Sequence, residues 1–158
     1  MTEGRDRYRL RSVRIDETSL APVSPEMEHE RQVAVVDLLQ ANYFRPADAP
    51  PGPYDLKISL VESRLAFDVA GPRFDRRHLL ALSPFRRVIK DYFMVCESYY
   101  EATRQAAPAQ IEALDVGRRG LHNEGSERLR ERLSGKVETD LDTARRLFTL
   151  ICALHRRP

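Results

Sequence analysis

The sequence predicts an α+β protein: a small antiparallel sheet, made of a three-stranded meander plus an N-terminal strand, packed against a C-terminal set of helices. Three observations lead there. All the strand-like runs lie in the first half of the chain, up to Leu82. The second half switches to the 3.6-residue apolar period of helices. The strands come first and most helices after them, a segregation that argues for α+β packing. At 158 residues, 42% of them hydrophobic and 32% charged, the chain has the size and composition of one domain, 1–158, with a real core.

Residues 1–7 are expected to form a flexible lead. Tyr8 to Ile15 alternate polar and apolar residues, the period of a half-buried strand, but Leu10, Val13 and Ile15 are out of phase and imply a bulge or an early end. Ser24-Pro25 opens a helix, with serine as N-cap and proline at its first position. Glu26, Glu28 and Glu30 suit the positive end of its dipole, and Val33, Val36, Leu39 and Tyr43 are expected to carry its buried stripe. Arg45 to Pro53 is a proline-rich loop. Tyr54–Val61 and Arg64–Ala70 flank Glu62-Ser63 as a hairpin. Gly71-Pro72 turns the chain into a third strand over Arg77–Leu82.

Ser83-Pro84 repeats the cap-plus-proline signal. It opens the strongest helix of the sequence, with Phe85, Val88, Ile89, Tyr92, Phe93, Cys96, Tyr99 and Tyr100 on one broad apolar face. Pro108 starts a shorter helix with Ile111 and Leu114 inward. The glycine-bearing run Gly117–Glu127 is expected to interrupt it, before another helix over Glu127–Leu133 ended by Gly135. Thr139-x-x-Asp142 resembles a capping box. It opens a last helix whose buried stripe is Leu141, Ala144, Leu147, Phe148, Ile151 and Leu154. No internal repeat and no low-complexity segment is present.

The totals exclude several classes. No apolar run approaches the length of a membrane span, and the N-terminus lacks the apolar core of a signal peptide, so no membrane partner and a cytoplasmic location are expected. Cys96 and Cys152 sit in apolar helical patterns and read as reduced, buried thiols. Net charge is +2, and only three of the 26 basic residues are lysine: Lys57, Lys90 and Lys136. The rest are arginine, whose planar fork suits carboxylate and phosphate.

The run Gly117-Arg118-Arg119-Gly120-Leu121-His122-Asn123-Glu124-Gly125-Ser126-Glu127 concentrates glycine and convergent polar groups as packing alone would not. Arg118, Arg119, His122 and Asn123 are its candidate ligand-binding residues. Were the run helical, Arg118 and His122 would share a face. His122 could then act as a general base oriented or tuned by a carboxylate, with Glu124 on another face and arginine holding an anion. The bland alternative is a polar cluster in which Glu124 or Glu127 pairs with an arginine. Arg86, Arg87 and Lys90 form a second candidate cluster. They lie in the first turns of a helix, where cations oppose the dipole, so an anion bound there would explain them; a solvated face would too. The two clusters are expected to meet in one concavity. Arg145-Arg146, early in the last helix, could join them. Tyr92, Tyr99 and Tyr100 share the buried stripe and read as core, and His29 reads as a surface residue. Only His29-Glu30 hints at a zincin motif, and His78, His122 and His155 stand singly, so neither a metal nor another cofactor is expected.

His29-Glu30-Arg31, Pro84 to Tyr92, Cys96-Glu97-Ser98-Tyr99-Tyr100, Gly117 to Ser126 and Ala144 to Leu150 together resemble the uncharacterised alphaproteobacterial family with the UPF number 0262. The resemblance covers nearly the whole chain and is weakest at the N-terminus and the proline-rich loop. It implies a stand-alone cytosolic bacterial protein and supplies no catalytic residues. The residues themselves lead to a binding or regulatory protein with an arginine-lined site for a phosphate-bearing small molecule or an RNA phosphate. Two alternatives stand beside it. One is an enzyme using His122 with Glu124; the other is a homo-oligomer or adaptor whose Arg/Glu clusters form the interface.

Overall fold

A computed structural model describes residues 2–16, 24–105 and 107–154. In chain order the elements are α1 (Thr2–Asp6), β1 (Leu10–Ile15), α2 (Pro25–Gln40), β2 (Phe44–Pro46), β3 (Tyr54–Val61), β4 (Arg64–Gly71), β5 (Phe74–Ala81), α3 (Ser83–Gln105), α4 (Pro108–Leu133), β6 (Val137–Thr139) and α5 (Leu141–Leu154). The fold is α+β, as expected. Within the lead, Thr2–Asp6 form one short helix, and Arg5 pairs with Asp140 at the start of α5 (2.6 Å).

The main sheet has the order β1-β3-β4-β5. Its meander is antiparallel, but β1 runs parallel to β3, from Leu10 opposite Tyr54 to Ile15 opposite Ile58. The sheet is therefore mixed rather than all antiparallel. A helix between two strands carries the chain back to the same end of the sheet, and α2 does this here. The register slips between Leu10 and Ser12, the bulge implied by the broken alternation. Asn42 secures this edge: its side chain accepts from the Leu10 N–H (2.7 Å) and donates to the carbonyls of Leu10 and Leu38.

The β3–β4 hairpin turns on Glu62 and Ser63, both at positive φ, the primed geometry that matches strand twist. Strand β5 begins at Phe74, three residues before the expected start at Arg77, because the turn at Pro72-Arg73 is tight enough for Gly71 to pair with Phe74. Leu56, Ile58, Leu65, Phe67, Val69 and Leu80 join the single hydrophobic core with the helices. The outer face carries the cross-strand row Lys57–Asp68–Arg77, in which Arg77 holds Asp68 with two hydrogen bonds.

Ser24 caps α2 by accepting from Met27 N–H (3.2 Å), and Pro25 opens it. Its buried residues are Met27, Ala34 and Leu38 rather than the expected Val33, Val36, Leu39 and Tyr43; Val33 and Val36 are exposed. Both stripes have helical spacing. The helix turns its 27–34–38 side inward, and that side includes Glu30, whose carboxylate is paired and so can be brought inside. The expected loop from Arg45 starts later, since Phe44–Pro46 pairs with Val137–Thr139 as a two-stranded ribbon.

The largest departure lies in α4. The sequence reading places a break at Gly117–Glu127, yet Pro108–Leu133 is one 26-residue helix. Glycine costs a helix about 1 kcal/mol relative to alanine, and packing of the far half offsets that cost. Leu129 and Leu133 are fully buried, and a Cβ on Gly125 would overlap the Phe148 ring of α5. Glycine serves there as a point of close helix approach rather than as a turn. Gly135 does end the helix, at φ 85°. The cap of α5 is Asp140, which accepts from Thr143 N–H (2.9 Å), and not Thr139, which is drawn into β6. Cys96 and Cys152 are buried free thiols.

The glycines of α4 make opposite predictions. Gly120→Ala meets no atom and should stabilise the protein by about 0.5–1 kcal/mol. Gly125→Ala must push Phe148 aside and should destabilise it by about 1–3 kcal/mol. Urea denaturation of both variants checks the pair, and equal effects would contradict the helix–helix contact.

Candidate functional site

Helix α5 packs against both α2 and α4, and a cleft of about 780 Å³ opens between these three helices. One wall is the α2 stripe His29, Val33, Ala34 and Asp37. The opposite wall is Arg119 and Asn123 from α4 with Arg145 and Arg146 from α5. Glu30, Tyr92, Arg118, His122 and Thr149 complete the lining.

Glu30 accepts hydrogen bonds from Tyr92 Oη (3.4 Å) and Tyr100 Oη, both on α3, and from Arg118 Nη1 on α4 (2.8 Å). Arg118 Nη2 donates to Asp115 (2.7 Å), and the guanidinium lies 4.4 Å from the centre of the Tyr99 ring. Burial opposes the charge of Arg118, but the hydrogen bond to Asp115 and the field of Glu30 outweigh it and raise its pKa. Burial pushes Tyr92 upward, and burial with the Glu30 hydrogen bond does the same for Tyr100, so both hydroxyls remain donors. Arg118 is thus committed to two carboxylates.

Arg119 stands one residue on and is largely exposed, with its Nε 3.2 Å from Asp115. Arg145 donates through Nε to Asn123 Oδ1 (3.1 Å) and through Nη1 to Asp142 (3.2 Å). Asn123 is one turn from Arg119 on α4, so Arg119, Asn123 and Arg145 form a row along one wall. Arg146 reaches across to the Ala41 carbonyl at the end of α2 (3.0 Å).

His122 packs against the rings of Tyr92 (5.4 Å) and Phe148 (5.3 Å), which also meet each other. Its Nε2 is 2.7 Å from Thr149 Oγ1, and Ser126 Oγ is 3.4 Å from Nδ1 while donating to the His122 carbonyl. Burial, reinforced by the cations Arg145 and Arg118, lowers the His122 pKa to about 4, so the ring is neutral at pH 7. Glu124 is solvent-exposed and is not among its hydrogen-bond partners. The expected His122–Glu124 pairing is replaced by His122–Thr149.

Arg118, Arg119, His122 and Asn123 come together with Arg145 and Arg146. Arg86, Arg87 and Lys90 do not line the cleft; they are exposed at the start of α3, where Arg87 lies 3.8 Å from Asp91. The expected shared concavity with them is therefore corrected. Helix α3 turns Phe85, Val88 and Ile89 into the core and leaves those three cations on its other side. His29 is exposed, as expected, yet lines the cleft. Tyr92 is core by burial and also serves the site through its hydroxyl. Sequence reasoning missed Glu30, Asp37 and Thr149. For Glu30 a signal existed, because Met27, Glu30, Ala34 and Leu38 share one helical face and so place a carboxylate in a buried stripe. His155 lies outside the described residues. Among those described, no group of three His, Cys, Asp or Glu is placed to hold a metal ion, and no helix is long and apolar enough to cross a membrane.

Residues 7–157 match the profile of an uncharacterised protein family, UPF0262. A UPF0262 protein of Caulobacter vibrioides strain NA1000 is 67% identical over 156 residues, covering 99% of this chain and 98% of the relative. One from Phenylobacterium zucineum is 66% identical over 155 residues (98% of each chain), and one from Brucella canis is 55% identical over 160 (99% of each). No solved structure matches.

Two measurements test this network. A folded His122 pKa near 4 lies below the ordinary unfolded value of about 6.5, so the unfolded chain binds more protons between them. The resulting stability is fully present above about pH 6.5 and is lost as pH falls toward 4, by at most roughly 3 kcal/mol. His78, lowered mainly by burial, contributes in the same direction. Urea midpoints over this range should fall less steeply for His122→Gln than for the wild type; identical slopes would exclude the assignment. Glu30→Ala strands Arg118 and two tyrosine hydroxyls and should cost roughly 1–3 kcal/mol in the same assay at pH 7.

Proposed function

We propose that this chain, which belongs to the UPF0262 family, is a cytoplasmic binding or regulatory protein that takes a small anionic ligand in the cleft between α2, α4 and α5. The observation that carries this reading is the Arg119–Asn123–Arg145 row. Arg119 Nε lies 3.2 Å from Asp115, and among the described residues neither the Arg119 Nη groups nor Arg145 Nη2 has a hydrogen-bond partner. Both guanidiniums thus retain donors for an oxyanion in a cleft that also exposes Val33 and Ala34 of α2. The phosphate-bearing ligand expected from the sequence is one member of this class. Arg118 supports the site and does not contact the anion, because Glu30 and Asp115 already occupy its fork.

An enzymatic role for His122 has less behind it. A neutral, largely buried imidazole whose Nε2 faces a threonine hydroxyl can orient a ligand, but its lowered pKa makes it a weak base at pH 7.

Calorimetry of the purified chain with anionic probes tests the reading. Arg119→Ala and Arg145→Ala should each weaken anion affinity by about ten-fold, the value of one charge-assisted hydrogen bond. The thermal midpoint should move by only about 2 °C, since these are exposed arginines. The double variant Arg86→Ala, Arg87→Ala should bind as the wild type does. Loss of binding in that variant, with Arg145→Ala unaffected, would move the site to α3.

A further inference from the structure

We infer that the ligand of this cleft is a singly charged carboxylate carrying an aliphatic or aromatic body, rather than a nucleotide or other polyphosphate. The inference rests on the anion-binding reading and narrows it, and its first support is charge pairing. The guanidiniums of Arg118, Arg119, Arg145 and Arg146 line the cleft, but Glu30 and Asp115 hold Arg118, Asp115 also touches Arg119, and Asp142 touches Arg145. Asp37 adds a further carboxylate on the α2 wall. Arg118, Arg119 and Arg145 are thus each paired with an acid already in place, and Arg146 is held by the Ala41 carbonyl. One more negative charge can be accommodated on the open edges of Arg119 and Arg145, whereas a polyphosphate would set several charges against Glu30 and Asp37.

The second support is the kind of donor available. Phosphate sites commonly use the first turn of a helix, where backbone N–H groups converge. None does so here: the cleft is lined from His29 on α2, from Arg118 on α4 and from Arg145 on α5, each beyond its helix's first turn. At the start of α5 the Thr143 N–H is taken by Asp140. Recognition falls to guanidinium donors, which serve a carboxylate as well as a phosphate, and no described helix start adds the N–H groups that would favour a phosphate.

The third support is apolar surface. Val33 is 42% exposed although aliphatic, and Ala34 and Tyr92 line the cleft with it. His122 and Thr149 add one neutral polar contact on the same lining. An anionic head on Arg119 and Arg145 would leave the ligand's body against Val33, Ala34 and Tyr92.

The test is calorimetry on the full chain with hexanoate and 3-phenylpropanoate, against hexanamide, inorganic phosphate and ATP. Both carboxylates should bind with Kd of about 0.1–1 mM, as expected for ligands of this size. They should bind at least ten-fold tighter than hexanamide, phosphate or ATP. Arg145→Ala should weaken the carboxylates about ten-fold. Val33→Glu, an exposed position whose replacement spares the core, should weaken them similarly. Phosphate or ATP binding at least as tightly as the carboxylates, and losing affinity in Arg145→Ala, would overturn this inference while leaving the anion-binding reading intact. Binding of none of these anions would overturn both.

Discussion

One carboxylate holds the helical layer together. Glu30 enters from α2 and is met by two tyrosine hydroxyls from α3 and a guanidinium from α4, so three helices share one polar junction. Taking a carboxylate partly out of water is unfavourable unless its acceptor sites are filled, and here they are filled by groups that themselves require a partner. The junction also explains the orientation of α2. A helix that must direct Glu30 inward presents Met27, Ala34 and Leu38 to the core, and Val33 and Val36 then face outward. The exposure of Val33 on the cleft wall thus follows from the placement of an acid.

The fold was readable where local chemistry and tertiary packing agree. Ser24-Pro25, the Glu62-Ser63 hairpin, the face of α3 from Phe85 to Cys96 and the stop at Gly135 all carry their reasons within a few residues. Features set by distant partners were not legible. The direction of β1 depends on where α2 returns the chain, the β2–β6 ribbon joins segments about ninety residues apart, and the continuity of α4 depends on Phe148 filling the space that a side chain at 125 would need. Glycine reads as a breaker in sequence because the close approach it permits is visible only once the second helix is in place.

The site divides along the same line. Spacing placed Arg118 and His122 on one helical face, which α4 provides, and residue type singled out Arg119 and Asn123. What each arginine is free to do could not be read from spacing. Arg118 and Arg119 are chain neighbours, yet one is enclosed by Glu30, Asp115 and Tyr99 while the other faces solvent. Arg86, Arg87 and Lys90 show the converse. Cations that oppose a helix dipole mark a departure from a local rule, but the face of α3 that carries them points away from the lining of the cleft.

Helix α4 is, in mechanical terms, a rod clamped at one end. Its buried residues, Gly125, Ser126, Leu129 and Leu133, all lie in the C-terminal third. Toward the N-terminus Ile111 and Leu114 are only half-buried, and Gly117 and Gly120 contribute no side-chain packing. Free energy of local opening follows buried contacts, so the helix is stiff beyond Gly125 and compliant before Arg118. The wall bearing Arg119 and Asn123 sits at the changeover. The Glu30–Arg118 bridge is the tether that sets how far that compliant arm stands from α2, and the width of the cleft is governed by a polar tie as well as by rigid packing.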